Sequence, residues 1–454
     1  MLGDNMIFDT IVGVSTAIGY SAINVIRVSG IEAFEMVSSI FKGKDLTTVL
    51  THTVHYGHIV FQDAIIDEVV VTVFKAPRSF TTENVVEISV HGGSYIASLV
   101  LEALISKGAR LAEPGEFTRR AYLNGRIDLT QAESIMDMIN AKTRLQLQLA
   151  TSSLSGDVRK RMESLQTELL DIIAIIEVNI DYPEYDDVVT MTNELIIPKI
   201  KQLIQSIQLI LEKADSGKVI RDGIKTVIVG KPNVGKSSLL NTLLNEDKAI
   251  VTDISGTTRD LVEGELRLGG LLLRLIDTAG VRETEDIVEK IGIDKTKKAL
   301  EQADLVILVL DQSRELSKED ELLLTLTQDK KRIIVGNKAD LGPSHLSNIS
   351  SIISLSAKTK QGMNALEVAL QDLFIHASMH ESTEVVLGNT RHIGKMQETL
   401  QALQDALHAA QSHLPIDMVE IDVKNAWTAL GEITGDVATD QLIQSLFSKF
   451  CLGK

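Results

Sequence analysis

The chain has 454 residues, enough for about three domains at roughly 150 residues each. Sixty-two acidic against 45 basic side chains leave a net charge of −17, and aromatic residues make up only 4%; this argues against a broadly basic nucleic-acid surface and against a stacking platform for single-stranded bases. The single cysteine excludes an intramolecular disulfide and any zinc site of the CxxC type. No basic leader precedes a long apolar run, and no stretch reaches the roughly 18 apolar residues of a membrane span, so a soluble cytoplasmic protein is expected.

The first 110 or so residues hold short runs rich in Val and Ile, at 10–14, 22–28, 52–60, 68–74 and 85–90, which predict the strands of an α+β module. From about Leu145 the period lengthens. Val158, Met162, Leu165, Leu169, Ile172 and Ile176 recur at steps of three and four, as do Ile200, Leu203, Ile207 and Ile210, and further on Met396, Leu400, Leu403 and Leu407. Three amphipathic helices of this kind predict an all-α helical bundle. The acidic segment 181–187, DYPEYDD, reads as a solvated turn between two of them, with a metal site as the less favoured alternative. Between the second and third helices, apolar runs at 226–230, 305–311, 332–337 and 352–356 alternate with helical patterns after Lys236, Gly292, Ser317 and Gly362. That pattern predicts a doubly wound α/β domain inserted into the helical one. The expected division is 1–122 for the N-terminal module, 123–220 for the first helical part, 221–376 for the inserted P-loop domain and 377–454 for the second helical part.

Residues 230–237 read GKPNVGKS and match G-x-x-x-x-G-K-[ST] between a strand and a helix. Gly230 and Gly235 let backbone N–H groups curl round phosphates, Lys236 neutralises their oxygens, and Ser237 is placed to ligate Mg²⁺. Downstream, Asp277, Thr278, Ala279 and Gly280 supply a carboxylate for the magnesium shell and an N–H for a γ-phosphate. Asn337, Lys338 and Asp340 form an N-K-x-D motif whose Asp carboxylate accepts from the N1 and exocyclic amine of guanine. Ser356, Ala357 and Lys358 add a backbone amide for the guanine carbonyl. Taken singly, each piece has an ordinary structural reading as a turn glycine or strand-end cap. Four motifs in this order specify GTP rather than ATP. The expected nucleotide site comprises Asn233, Val234, Gly235, Lys236, Ser237 and Ser238, then Thr252, Asp253, Ile254, Ser255, Gly256, Thr257 and Thr258, together with the three later motifs.

Val281 follows DTAG, where Ras-like enzymes carry a water-positioning glutamine. Other candidates for that task are Asn233, the stretch 252–259 (TDISGTTR), Arg282, Glu285 and Glu289. A monovalent cation beside the phosphates is a substitute for an arginine finger, with Asn233 as a neutral ligand; the alternative is that Asn233 only holds the loop.

The chain resembles, over its full length, the TrmE-type family of tRNA-modification GTPases. The resemblance rests on 117–133 (FTRRAYLNGRIDLTQAE), the P-loop with Asn233, GTTRD at 256–260, VEKIGI at 288–293 and the C-terminal CLGK. It implies a potassium-activated GTPase whose G domains dimerise across their switch regions, with potassium ligands at Asn233, Thr252, Ile254 and Thr257. It places magnesium on Ser237 and Thr258 and a water-orienting glutamate at Glu289; Arg282 stands as a further candidate catalytic residue. It further implies modification of carbon 5 of the wobble uridine of certain tRNAs to an aminomethyl or carboxymethylaminomethyl group. The implied partner is the FAD-dependent MnmG (GidA), and the implied one-carbon donor is a 5-formyl or 5,10-methylene tetrahydrofolate. The N-terminal module is similar to folate-binding domains that dimerise constitutively, with matching positions Arg27, Glu87, Arg126 and Lys454. Two departures are that the chain reads NGR where relatives often have NGK, and that the loop 15–21 lacks their Pro-Gly-rich character. Cys451 is a buried small hydrophobe on general grounds, or a thiol delivered by the flexible tail to a catalytic site. A regulatory or ribosome-assembly GTPase without modification chemistry is the rival reading, although this acidic chain has no basic KH-like segment. A second rival is a folate-dependent transferase with a vestigial G domain, against which the intact motifs speak.

Overall fold

A computed structural model describes residues 9–17, 19–181, 188–244, 249–250, 262–276, 299–346, 348–375, 386–450 and 453. The chain forms two compact units, Met1–Met136 with Gly431–Lys454, and Asp137–Leu430.

The first unit is built on a seven-stranded sheet. Its strands are β1 (Ile11–Val14), β2 (Ile23–Ser29), β3 (Phe41–Lys42), β4 (Thr53–Phe61), β5 (Ala64–Phe74), β6 (Val85–His91) and β7 (Arg110–Leu111), in the order β3-β4-β5-β6-β2-β1-β7. All neighbours are antiparallel except β1 and β7. Alternation fixes which face is buried: Val69, Val71 and Val73 join the core with helices α1 (Ala33–Ile40) and α2 (Ser94–Ser106), while Val70 between them is exposed. The five predicted strands are present. The fourth begins four residues earlier than predicted, because Gln62 and Asp63 both take left-handed backbone (φ 51° and 61°) and close a two-residue hairpin without the Gly that usually marks one.

Helix α3 (Glu116–Leu123) is locked in place by a charge network. Glu116, 1% exposed, accepts from Arg110 Nη2 at 2.5 Å and Arg120 Nη2 at 3.1 Å, and from the Glu113 amide at 2.8 Å. Asp9 accepts from both arginines, and Arg120 reaches Glu83. Burial pushes the Glu116 carboxyl up, but its hydrogen bonds and the two guanidinium charges override this and hold it below the ordinary glutamate value.

The second unit carries helices on one part and a second sheet on the other. Helix α4 (Leu129–Asn140) begins in the first unit and ends in the second, where α5 (Arg144–Leu154), α6 (Asp157–Asp181) and α7 (Val188–Asp222) follow. All ten predicted core positions of α6 and α7 are buried. The predicted turn at 181–187 falls where α6 ends and α7 begins; 182–187 lie outside the described residues. The strands are β8 (Ile224–Val229), β9 (Ala249–Ile250), β10 (Val262–Leu268), β11 (Leu271–Ile276), β12 (Leu305–Asp311), β13 (Arg332–Asn337) and β14 (Ile352–Ser354). Their order is β14-β13-β12-β8-β11-β10-β9, parallel except around β10. From β8 the chain crosses to the edge at β9, returns inward through β10 and β11, and then passes to the other side of β8 and runs outward through β12, β13 and β14, so the carboxyl end of β8 is the topological switch point, where such sheets bind ligands. Helices α8 (Lys236–Leu244), α9 (Lys318–Leu326) and α10 (Met363–Phe374) follow the turns predicted for them; the start predicted after Gly292 lies outside the described residues. The chain then returns to the helices through α11 (Thr390–Gln411) and α12 (Ile416–Thr434), and α13 (Asp440–Phe447) belongs to the first unit. In α11, Met396 and Leu403 are fully buried and Leu400 and Leu407 half-buried. Helix α12 adds a further member to the predicted helical set and meets α6 through Lys424 and Glu177 at 3.3 Å.

Because the Glu116 carboxyl is held below its ordinary value in the folded state, its contribution is fully present above about pH 4.5 and is lost as pH falls through the lowered value. Glu116→Ala is expected to cost about 3 kcal/mol or more at pH 7 and to flatten the acid arm of the stability curve. Urea unfolding of both proteins between pH 3 and pH 7 checks this; parallel curves refute it.

Candidate functional site

The P-loop leaves the carboxyl end of β8 and opens α8. At Gly230 a Cβ would overlap the Val309 carbonyl, and at Gly235 (φ 97°) it would overlap the Asn337 side-chain nitrogen, so both glycines are required by close approach. Asn233 takes left-handed backbone, φ 64°, and its side chain is exposed. The neighbouring Val234 side chain is fully buried in the domain core. Ser237 and Ser238, in the first turn of α8, are exposed. Lys236 Nζ donates to the carbonyls of Gly230 and Lys231, both at 2.7 Å. Burial pulls this ammonium below the usual lysine value, so an anion at the loop satisfies a charge that the protein has partly desolvated.

The other loops at this end converge on one side chain. Asn337, 2% exposed at the end of β13, donates from Nδ2 to the Val234 carbonyl at 2.8 Å and accepts at Oδ1 from the Ala357 amide at 3.0 Å. Thr242 of α8 donates to the Ala357 carbonyl at 2.7 Å. The P-loop, the N-K-x-D turn and the segment Ser356–Lys358 are therefore one hydrogen-bonded body. Ser356 Oγ donates to Asp340 Oδ1 at 2.6 Å, and this bond leads the causes that hold the exposed Asp340 carboxyl below the usual range. Its charged form, a pure acceptor, is the one needed to read a pair of N–H donors. Lys338 takes left-handed backbone (φ 68°) and its ammonium donates to Asp311 Oδ2 at 2.7 Å. Asp311 was not singled out from the sequence, where it reads only as the polar end of an apolar strand. Thr252 through Thr258, Asp277 through Gly280, Arg282, Glu285 and Glu289 lie outside the described residues.

In the first unit, Arg27 donates to Glu87 Oε1 through Nε at 2.9 Å and Nη2 at 2.7 Å. The two residues face each other across β2 and β6. The Arg27 guanidinium lies 5.5 Å from the Phe80 ring centroid and 5.6 Å from that of Phe117, and Arg126 lies 5.0 Å from Phe80 while donating to its carbonyl at 2.7 Å. Residues 27, 87 and 126 thus gather round Phe80, an aromatic that spacing did not reveal. Ser15 donates to the Gly453 carbonyl at 3.2 Å, which brings the chain end against β1. Cys451 and Lys454 lie outside the described residues. Among the described residues, no group of three or more His, Cys, Asp or Glu side chains is placed to hold a metal.

Comparison with known sequences places these features in a family context. The sequence model described as "MnmE helical domain" matches residues 129–451 and "GTP-binding protein TrmE N-terminus" matches 10–126. The tRNA modification GTPase MnmE of Lactococcus lactis subsp. lactis (strain IL1403) is 48% identical over 98% of this chain and 99% of its own length. The protein of the same name from Bacillus mycoides (strain KBAB4) is 50% identical over 99% of this chain and 100% of its own.

Asn337→Asp keeps the shape and the acceptor for Ala357 but sets a second acceptor against the Val234 carbonyl. An unmade buried hydrogen bond costs about 1–3 kcal/mol, so guanine nucleotide affinity is expected to fall about tenfold or more in a fluorescent-nucleotide titration. Undiminished affinity would show that the brace does not support binding.

Proposed function

The chain belongs to the MnmE family of tRNA modification GTPases, and from that premise we propose that it is a potassium-activated GTPase acting in wobble-uridine modification. In this reading it adds, with the FAD-dependent partner MnmG, an aminomethyl or carboxymethylaminomethyl group at carbon 5 of the wobble uridine of certain tRNAs. The observation that carries the GTPase part is the braced loop at the sheet's switch point, with Asn337 joining the phosphate-binding backbone to the base-reading Asp340. Binding of GTP draws the Lys236 ammonium from the Gly230 and Lys231 carbonyls to the phosphates. Ser237, exposed beside it, and Thr258 would hold magnesium, which supplies charge neutralisation at the phosphate oxygens when bound.

Valine at 281 offers no group to orient water, so that task is assigned to Glu289, with Arg282 as a further candidate catalytic residue. Asn233, held on the outer side of the loop, would hold potassium with Thr252, Ile254 and Thr257; the ion would supply positive charge beside the phosphates. The folate donor is assigned to Arg27, Glu87, Arg126 and Lys454. Support for it comes from the carboxylate and two guanidiniums around Phe80, since a carboxylate suits a pterin's N–H edge and guanidiniums suit a glutamate tail. Cys451 is the candidate catalytic thiol on the returning tail. A homodimer through the first module is supported by apolar side chains left exposed on its sheet, where Ile23, Val54, Tyr56 and Val70 are 56%, 63%, 63% and 41% exposed. No helix among the described residues is long and apolar enough to cross a membrane, and the proposed location is the cytoplasm. The domain scheme proposed is the fourfold division at 122, 220 and 376.

Mass analysis of wobble nucleosides in a strain lacking this gene tests the function: loss of the carbon-5 group is expected, and an unchanged nucleoside profile rejects it. The cation assignment is tested separately by turnover in matched salts. Replacing potassium with sodium is expected to slow GTP hydrolysis at least tenfold, and equal rates remove the ion from the mechanism.

A further inference from the structure

Asp311 closes β12, directly opposite Asn337 in the β12–β13 register. Its side chain is 7% exposed, and both oxygens are engaged. Oδ1 accepts from the Ser313 amide at 3.1 Å and hydroxyl at 2.7 Å, and Oδ2 accepts from Lys338 Nζ at 2.7 Å, with Arg314 Nε 3.6 Å away. Burial pushes this carboxyl up, but the bonds from Lys338 and Ser313 override that and leave it below the ordinary aspartate range. It is therefore charged and fixed in direction before any ligand arrives.

Lys338 is held at its other end too. Its backbone sits between Asn337, fixed to the P-loop, and Asp340, fixed to Ser356. A lysine stem is ordinarily among the most mobile of side chains. Here its four carbons run between a Cα flanked by two braced residues and an ammonium held by Asp311, two positions before the carboxylate assigned to the base edge. Such a stem presents a rigid apolar strip to the face of a planar ring, and the entropy of ordering it has been spent in folding rather than in binding.

We propose that Asp311 is a positioning residue for guanine recognition, which acts by anchoring Lys338 so that its stem is preset against the base. The proposal rests on the guanine reading of the N-K-x-D motif and assigns to this chain an affinity device outside the four nucleotide motifs.

The test uses the full-length chain and titration with fluorescent GDP and IDP. Asp311→Asn retains the acceptor for Ser313 but loses the charge that holds the ammonium, and it is expected to weaken both nucleotides by a similar factor of about ten. Lys338→Met, which keeps an apolar stem without an anchor, is expected to do the same, and the double variant is expected to be no more than twofold weaker than either. Wild-type affinity in Asp311→Asn, or full additivity in the double variant, overturns the proposal, as does a loss confined to GDP, which would point to the base edge at Asp340 instead. If Asp311→Asn does not fold by circular dichroism, Ser313→Ala loosens the same carboxylate and should weaken GDP two- to threefold; no change overturns the proposal. A wild-type chain without preference for GDP over ADP would sink the guanine reading itself, a result distinct from any of these.

Discussion

One carboxamide holds the nucleotide-binding end of this protein together. The Asn337 side chain stands between a carbonyl of the P-loop and an amide of the segment that follows β14. A carboxamide presents a donor and an acceptor in one rigid plane, and Asn keeps that plane close to the backbone of β13. The same contact explains Gly235 more sharply than phosphate approach does, because a Cβ there would meet the Asn337 nitrogen. Loops from three strands thus share one geometry, set by a single buried group.

The residues through which the chain is recognised in its first unit do a related job. Arg120 bonds Glu83, Asn124 donates to the Thr81 carbonyl at 2.7 Å, and Arg126 donates to the Phe80 carbonyl. Ser29 on β2 reaches Thr81 and Glu83 from the other side at 2.7 and 2.6 Å. All of these grip the loop 80–83, whose Phe80 ring carries the Arg27 and Arg126 guanidiniums. The stretch 117–133 is thus in part a clamp, and the charge of its Arg120 is matched by Asp9, Glu83 and Glu116 rather than left to solvent. A buried set of this kind adds little net stability when complete and costs several kcal/mol when one member is removed, so its residues are constrained as a group.

What could be read from the sequence follows from which forces are local. β12 is buried along all seven residues, so it appears as an unbroken apolar run, and the positions of α6 and α7 that fall at steps of three and four are those that pack. The hairpin at Gln62–Asp63 escaped because neither residue is glycine, and the two-residue strands β3 and β7 are too short to carry a period. Helix α12 does carry one, through Val419, Val423, Ala426, Leu430 and Ile433, all buried, but alanine weakens its contrast. Phe80 and Asp311 had no signal at all. Each matters only because folding brings it to a partner distant in sequence, Arg27 in one case and Lys338 in the other. Grouping Arg27, Glu87 and Arg126 likewise depended on family resemblance.

The same logic applies where helices meet the sheet of the second unit. The hairpin β10–β11 turns through Gly269 and Gly270, both left-handed at φ 58° and 78°, and it joins the two segments that carry the TDISGTTR and DTAG motifs. Glu265 on this hairpin is only 5% exposed and is paired with Lys142, just before α5, with Arg274 Nε 3.7 Å away. Leu145 of α5 lies against Gly270, and Gln371 of α10 donates to the Gly269 carbonyl at 2.9 Å. Gln146, which also closes the capping box of α5 with Thr143, donates to the Arg221 carbonyl at 3.0 Å at the end of α7. A buried carboxylate must keep a cation, so Lys142 is tied to the hairpin as firmly as Glu265 is tied to the sheet. The helical part therefore does not merely flank the nucleotide-binding domain. It supports, through one ion pair and one leucine, the strands on which both motif-bearing segments are mounted.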